Sequence, residues 1–424
     1  MSASPTCSSA RGGLTAAAKR KTSSMTSTPL QFDIVAKCQL TNARTARMQL
    51  PHCTVDTPVF MPVGTQGTLK SLLPEQASAL GCQLLLCNTY HLGDRPGHRV
   101  VQSAGGLHRF MNWPHALLTD SGGFQMVSLA KLMDVDERGV RFVSPNTEQE
   151  TLLTPEESVR IQNALGADIA MQLDDVVHVL TTGDRVQHAM RRSIRWLDRC
   201  REAHQKPNEQ SLFAIVQGGL DRKLRLESCR EIVKRDPPGI AIGGLSGGEA
   251  KSQFWQIVKL CADQLPEEKP RYCMGVGYAV DLVVCCALGV DMFDCVYPTR
   301  TARFGVAMTP DGELNLSKRD FADDHRPIQD DCACSTCARG TARSYLHATI
   351  GHEPTACQLI SIHNVCYLLT LMRHLRESIR EQRFPRFLTE FLDRMYPMDS
   401  DQKSMPDWVT DALKSVGYER DTAR

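Results

Sequence analysis

Eight short apolar runs recur between Val59 and Phe293, with helical stretches between them. This alternation constrains the fold more than any other feature of the chain. The runs are Val59–Val63, Gln83–Cys87, Ala116–Thr119 and Asp168–Leu173, then Leu212–Val216, Gly239–Ile242, Arg271–Met274 and Val290–Phe293. Pro74–Leu80, Pro155–Leu165, Val186–Ala203 and Arg222–Lys234 read as amphipathic helices between them. Strands alternating with helices require a parallel sheet, and eight such units predict an α/β fold of the (β/α)8 TIM-barrel type. An open doubly wound sheet is the rival architecture, and the count of eight favours the barrel. Ahead of the first run, Gln31 to Asp56 alternates loosely and predicts one or two hairpins.

A barrel places its active site at the C-terminal ends of its strands. The residues there are Gly64-Thr65-Gln66, Asn88 to His91, Asp120 to Gln125 and Asp174-Asp175. The other runs lead into Gln217-Gly218-Gly219, Gly243-Gly244-Leu245, Gly275-Val276-Gly277 and Asp294. Carboxylates, amides and glycines thus gather on one rim. Asp120, Asp174 and Asp294 end three different strands, and three carboxylates around one mouth have their pKa values pushed apart. That supplies a nucleophile and an acid from one residue type, as retaining glycosyl chemistry requires. A helix cap or a loop hydrogen bond is the plain alternative for any single one. Ser121, Gly122 and Gly123 let backbone approach a ligand, and Phe124 either stacks on a flat heterocycle or fills the core. Gln217 and Gly244 offer an amide and exposed backbone to the edge of a base. Met171 and Met274 flank the rim and either pack in the core or sandwich a base.

Val290–Arg303 combines Asp294 with Arg300 and Arg303 among hydroxyl residues, a pairing that suits phosphate. With 424 residues and a net charge of +1, the chain as a whole does not attract nucleic acid, so contact falls to local patches. Arg300, Arg303, Lys318 and Arg319 are the candidates. The arginines at 191, 192, 195 and 199, and those at 373, 376, 380, 383 and 386, read as solvated faces. No apolar run approaches the roughly 18 residues of a membrane span. The 17 cysteines lack small-domain disulfide spacing, which favours a reducing compartment. Cys332, Cys334 and Cys337 are followed by His363, a Cys3His set of the kind that closes around structural zinc. Free thiols or a redox pair are the alternatives, and His347 and His352 compete with His363. Residues 1–30 are basic, rich in Ser, Thr and Ala, and lack acidic residues, so they read as a disordered tail or a weak transit peptide.

The segments LLTDSGGFQ, MQLDD, AIVQGG, GIAIGGLSGGE, MGVG, FDCVYPTRTAR and CACSTC with a later His together resemble the tRNA-guanine transglycosylase family. The resemblance covers Pro58 to His363 in order and is greatest to eukaryotic members. It implies exchange of guanine at wobble position 34 of tRNAs with a GUN anticodon for queuine, through a covalent ribosyl-aspartate intermediate. Asp294 then matches the nucleophile and Asp120 the general acid/base. Asp120, Ser121, Gly122, Gly123, Phe124, Asp174, Gln217, Gly244 and Met274 match substrate-binding positions. Gly275, Val276, Gly277, Tyr278, Ala279, Val280 and Asp281, with Thr299, Arg300, Thr301, Ala302 and Arg303, match RNA-contacting stretches. Cys332, Cys334, Cys337 and His363 match ligands of one structural Zn2+. Residues 31–320 are then the barrel with its N-terminal hairpins, 321–366 an inserted zinc-binding subdomain, and 367–424 helices completing the barrel. The resemblance also implies a heterodimer with a homologous noncatalytic subunit. The expected place is the cytoplasm, with association to mitochondria suggested by the basic N-terminal tail. Gly247, where bacterial members carry a branched residue, and Asp175-Val176 in place of a DEC-like run both suit a larger base.

Overall fold

A computed structural model of the chain describes residues 29–123, 133–143, 150–398 and 404–420. Phe124 and residues 1–28 of the tail lie outside that range. Eight parallel strands close into a barrel, in the order β4 (Val59–Gly64), β5 (Leu84–Cys87), β6 (Ala116–Thr119), β10 (Ile169–Met171), β11 (Ser211–Val216), β12 (Ile240–Ile242), β13 (Arg271–Cys273) and β14 (Met292–Cys295). They are the eight runs of the sequence, trimmed or extended by a residue or two. The last differs usefully: β14 runs on through Asp294 to Cys295, pairing Asp294 with Met61.

Strand periodicity explains the placing of side chains. Val59, Met61, Val63, Ala116, Leu118, Ile169, Met171, Phe213, Ile215, Tyr272 and Met292 fill the interior. Their neighbours Phe60, Leu117, Ala170, Ala214, Cys273 and Phe293 face the surrounding helices. Both faces of each strand are covered, so the strands read as continuous apolar runs. Two residues on from Leu118, Ile215, Tyr272 and Met292 are Asp120, Gln217, Met274 and Asp294. By the same alternation these turn toward the barrel axis, at its C-terminal end.

The helices begin and end on local signals. Thr154 Oγ1 accepts from Glu157 N at 3.1 Å, Pro155 opens the helix Pro155–Leu165, and Gly166 closes it at φ 72°. Asp221 caps the helix Arg222–Val233, accepting from the backbone N–H of Lys223 and Leu224. Asp184–Ala203 carries the arginine series expected as a solvated face. Arg191 and Arg195 are exposed, and Arg191, Arg192, Arg195 and Arg199 pair with Glu227, Asp175, Glu137 and Glu156. Arg376 likewise donates to Pro58 O at 2.9 Å, and Arg380 pairs with Asp56. Pro354–Arg380 has the length and apolar character of a membrane span, but 72% of its most apolar window is buried inside the protein.

The stretch before the barrel is a three-stranded antiparallel sheet, β1 (Gln31–Lys37), β2 (Arg44–Gln49) and β3 (Thr54–Thr57). It is clasped to the barrel by Arg44, whose Nε and Nη2 donate to Asp291 at 2.9 and 2.6 Å. Both partners are almost wholly buried. A second staple closes the N-terminal end. Asp168 accepts from His52 Nδ1 at 2.8 Å, His108 Nε2 at 3.1 Å and Leu117 N at 2.8 Å. The two imidazoles stack, with centroids 3.5 Å apart. A second antiparallel sheet, β7 (Met133–Val135), β8 (Val140–Val143) and β9 (Glu150–Leu153), follows β6. A hairpin of β15 (Val306–Thr309) and β16 (Gly312–Asn315) follows β14.

Candidate active site

Asp294 is held by one oxygen. Tyr272 Oη, from the neighbouring strand, donates to Oδ1 at 2.5 Å, and Gly275 N donates to the same atom at 2.8 Å. Oδ2 takes no hydrogen bond among the described residues. Burial raises the Asp294 pKa, against the lowering effect of those two donors. Tyr272 is fully buried, and its phenol is held well above the ordinary range by burial and by the charges of both Asp294 and Asp120. One side chain in the barrel axis therefore senses both carboxylates across the mouth.

Asp120 is anchored from β5. Thr89 N donates to Oδ1 at 2.8 Å and Asn88 Nδ2 to Oδ2. Thr89 Oγ1 also donates to the Asp120 carbonyl, so side chain and backbone are fixed together. Beside it, Ser121 Oγ donates to Asp174 Oδ1 at 3.4 Å. Gln217 Nε2 donates to Asp174 Oδ2 at 2.6 Å. Burial pushes the Asp174 pKa up to about 6; the Gln217 hydrogen bond opposes this, and the Asp175 charge adds to it. Asp175 itself is buried and locked by Arg185 and Arg192 at 2.6 and 2.5 Å.

The glycines make room. A Cβ on Gly244, at φ +67°, would lie 2.3 Å from Gln217 Oε1, and one on Gly243 would sit 3.5 Å from Met274 Sδ. The amide, the thioether and the loop backbone therefore form one wall. A Cβ on Gly123 would meet Asp174 O at 3.2 Å, and one on Gly122 would meet Tyr90 at 3.3 Å. Gly247 faces Val179, with a Cβ there 3.3 Å from Val179 Cγ1.

The stretches expected at RNA divide by exposure. In Gly275–Asp281, Val276, Ala279 and Asp281 are buried, and Asp281 pairs with Lys251; Tyr278 is half exposed and packs against Tyr297, centroids 4.2 Å apart. In Thr299–Arg303, the backbone forms the helix Tyr297–Ala302, which buries Thr299, Thr301 and Ala302 and turns Arg300 and Arg303 outward. Lys70, from the loop after β4, joins them. Burial lowers its pKa, and so do the charges of Arg303 and Arg300. None of the three forms an ion pair among the described residues. Nothing in the local sequence marks Lys70; only the closed barrel brings it to the arginines.

The cysteine cluster assembles with His363. Its Nδ1 lies 3.6, 3.7 and 3.3 Å from the sulfurs of Cys332, Cys334 and Cys337. Sulfur and nitrogen ligands on tetrahedral zinc stand about 3.6 Å apart. His363 Nε2 donates to Met308 O at 2.8 Å, which turns Nδ1 toward the sulfurs. The group can hold a metal ion. The competing His347 instead meets Leu316 O at 2.8 Å. Cys366, three residues on from His363 and unmarked by its sequence context, is buried beside the cluster, and its thiol is pushed up by Cys332 and Cys334.

A closed parallel barrel with carboxylates converging at its C-terminal mouth is the architecture of an α/β-barrel enzyme. The family model described as queuine tRNA-ribosyltransferase matches residues 38–397. A queuine tRNA-ribosyltransferase catalytic subunit of Caenorhabditis elegans is 53% identical over 403 residues, covering 92% of this chain and all of that protein. One of Schizosaccharomyces pombe is 53% identical over 396 residues, covering 92% of this chain and 98% of that one. A bacterial queuine tRNA-ribosyltransferase, of Bacillus pumilus, is 44% identical over 370 residues, covering 87% and 97%. The chain belongs to the queuine tRNA-ribosyltransferase family and is a glycosyltransferase of the pentosyl-transferring kind.

Proposed function

We propose that the chain exchanges guanine at the wobble position of tRNA for queuine, by double displacement through Asp294. Oδ2 attacks ribose C1′ as the bond from C1′ to guanine N9 breaks, and the departing base is protonated by Asp120. The ribose is then esterified to Asp294. Queuine takes the vacated place, loses its N9 proton to Asp120 and attacks C1′, releasing Asp294. The observation that carries this reading is the Asp294 carboxylate, fixed through Oδ1 by Tyr272 and Gly275 and open at Oδ2. Fixing one oxygen orients the other without quenching it. Asp174, Gln217 and Gly244 read the base edge, and Met274 covers one side of the pocket.

Lys70, Arg300 and Arg303 are the proposed phosphate clamp, because three cations without carboxylates need an external anion. Cys332, Cys334, Cys337 and His363 are proposed to hold one structural Zn2+. All four positions would be taken by protein, so the ion shapes the fold and takes no part in the transfer. The name catalytic subunit, carried by relatives 53% identical, motivates a second, noncatalytic chain as partner. Its place in the cell is proposed as the cytoplasm, with association to mitochondria.

Incorporation of labelled guanine into unmodified tRNA tests the reading. Asp294→Asn is expected to lose exchange by roughly a thousandfold or more, and Asp120→Asn by a comparable factor. Exchange by Asp294→Asn within tenfold of the parent would remove Asp294 from the chemistry.

A further inference from the structure

Arg225 is a large side chain with no solvent exposure and, among the described residues, no carboxylate partner. Its Nη1 donates to Val216 O and its Nε to Gly219 O, both at 2.8 Å. These two carbonyls bracket Gln217 and Gly218. The third arm, Nη2, is buried without a hydrogen-bond partner among the described residues. A guanidinium kept inside a protein is costly unless it is paired or hydrogen-bonded, so Arg225 is held there by what its carbonyl contacts do for the turn. Three residues further along the same helix face, Ser228 Oγ accepts from Gln217 N at 3.2 Å. The loop lies so close to the helix that a Cβ on Gly218, at φ +142°, would stand 3.0 Å from Arg225 N. Helix and loop are thus joined at three backbone points around one amide side chain, whose Nε2 reaches Asp174.

We propose that Arg225 is a positioning residue for base recognition. With Ser228 it fixes the Val216–Gly219 turn, so that the Gln217 amide and Asp174 meet the edge of the base in one orientation. The inference rests on Gln217 reading the base. Arg225 touches neither base nor ribose and acts only through the turn. The helix supplies the rigid frame; Arg225 transmits its position to the loop.

The test is equilibrium dialysis of labelled guanine against the full chain, with tRNA binding by gel shift and the melting midpoint alongside. Arg225→Met is expected to weaken guanine binding about tenfold, the scale of a lost charged hydrogen bond. It should leave tRNA binding within twofold. Arg225→Lys, which can still reach one carbonyl, is expected to recover part of the loss. In a Gln217→Ala background, Arg225→Met is expected to add nothing further, because the residue through which it acts is gone. Additive losses in that cycle overturn the proposal, as does equal weakening of guanine and tRNA together with a lower melting midpoint. If Arg225→Met does not fold, Ser228→Ala runs the same cycle. A guanine loss absorbed by Gln217→Ala supports the proposal, and an additive one overturns it. Gln217→Ala that binds guanine normally refutes base reading itself, and that arm shows it without any Arg225 variant.

Discussion

Asp174 carries the clearest pH signature at the level of single residues. Its raised pKa, about 6, means the carboxylate loses a proton within the working range. The ionised form accepts at both oxygens, so base affinity is expected to rise as pH increases through about 6 and to weaken below it. Guanine KM measured between pH 5 and 8 should show that step, and Asp174→Asn should flatten it. Gly247→Val is a second residue-level case, because the added branch presses on Val179. Queuine use is expected to fall more than guanine use in paired KM measurements, and equal effects would place Gly247 away from the base substituent. Asp120, Gln217 and Asp294 were legible from the chain because each follows an apolar run whose parity dictates where it points; Asp174 also follows a run, but lies three residues past the inward-facing Met171, beyond what parity fixes. Lys70 and Tyr272 were not. Their significance lies in partners from other strands, Arg300 and Arg303 for one and Asp294 and Asp120 for the other. Ordinary residue types at ordinary spacings carry no trace of that.

At the level of elements, two buried polar clusters hold the sheet before the barrel and the N-terminal end of the barrel. Arg44→Met would leave Asp291 charged and buried with only backbone support, a loss of about 3–5 kcal/mol. A fall in the denaturation midpoint at unchanged slope would register it. The Asp168 staple titrates. Burial raises the Asp168 pKa, but hydrogen bonds from His108 and His52 outweigh it and hold the carboxyl well below its ordinary range. Its contribution is therefore present above an unfolded value of about 4 and is lost as pH falls below that. His52 has the opposite sign: the Asp168 hydrogen bond raises its pKa, so its share is complete below about 6.5 and is lost as pH rises through the raised folded value. Melting midpoints at pH 3.5 and 7 should differ less for Asp168→Asn than for the parent. The elements themselves were readable, since helix caps such as Thr154 and Asp221 and short apolar strands are local signals. The three-stranded N-terminal sheet was legible only as hairpins, because its anchor, Arg44 to Asp291, spans the chain. Of the arginine faces, Arg191, Arg192, Arg195 and Arg199 pair with acids outside their own helix, whereas Arg373 and Arg386 pair with Glu377 and Glu390 on their own helices.

At the scale of the whole molecule, closing eight units into a barrel turns residues from distant segments into one site. The helix Pro354–Arg380 then brings His363 to the cysteines. If zinc is the ion held there, chelation should lower the melting midpoint, and added zinc should restore it. The central claim is covalent transfer through Asp294. Its most direct measurement is mass spectrometry of peptides from the protein incubated with tRNA and a base analogue that stalls the second half of the exchange. The account predicts a ribosyl-RNA adduct on the peptide containing Asp294, absent from Asp294→Ala. An adduct on another residue, or one that survives in Asp294→Ala, would contradict it.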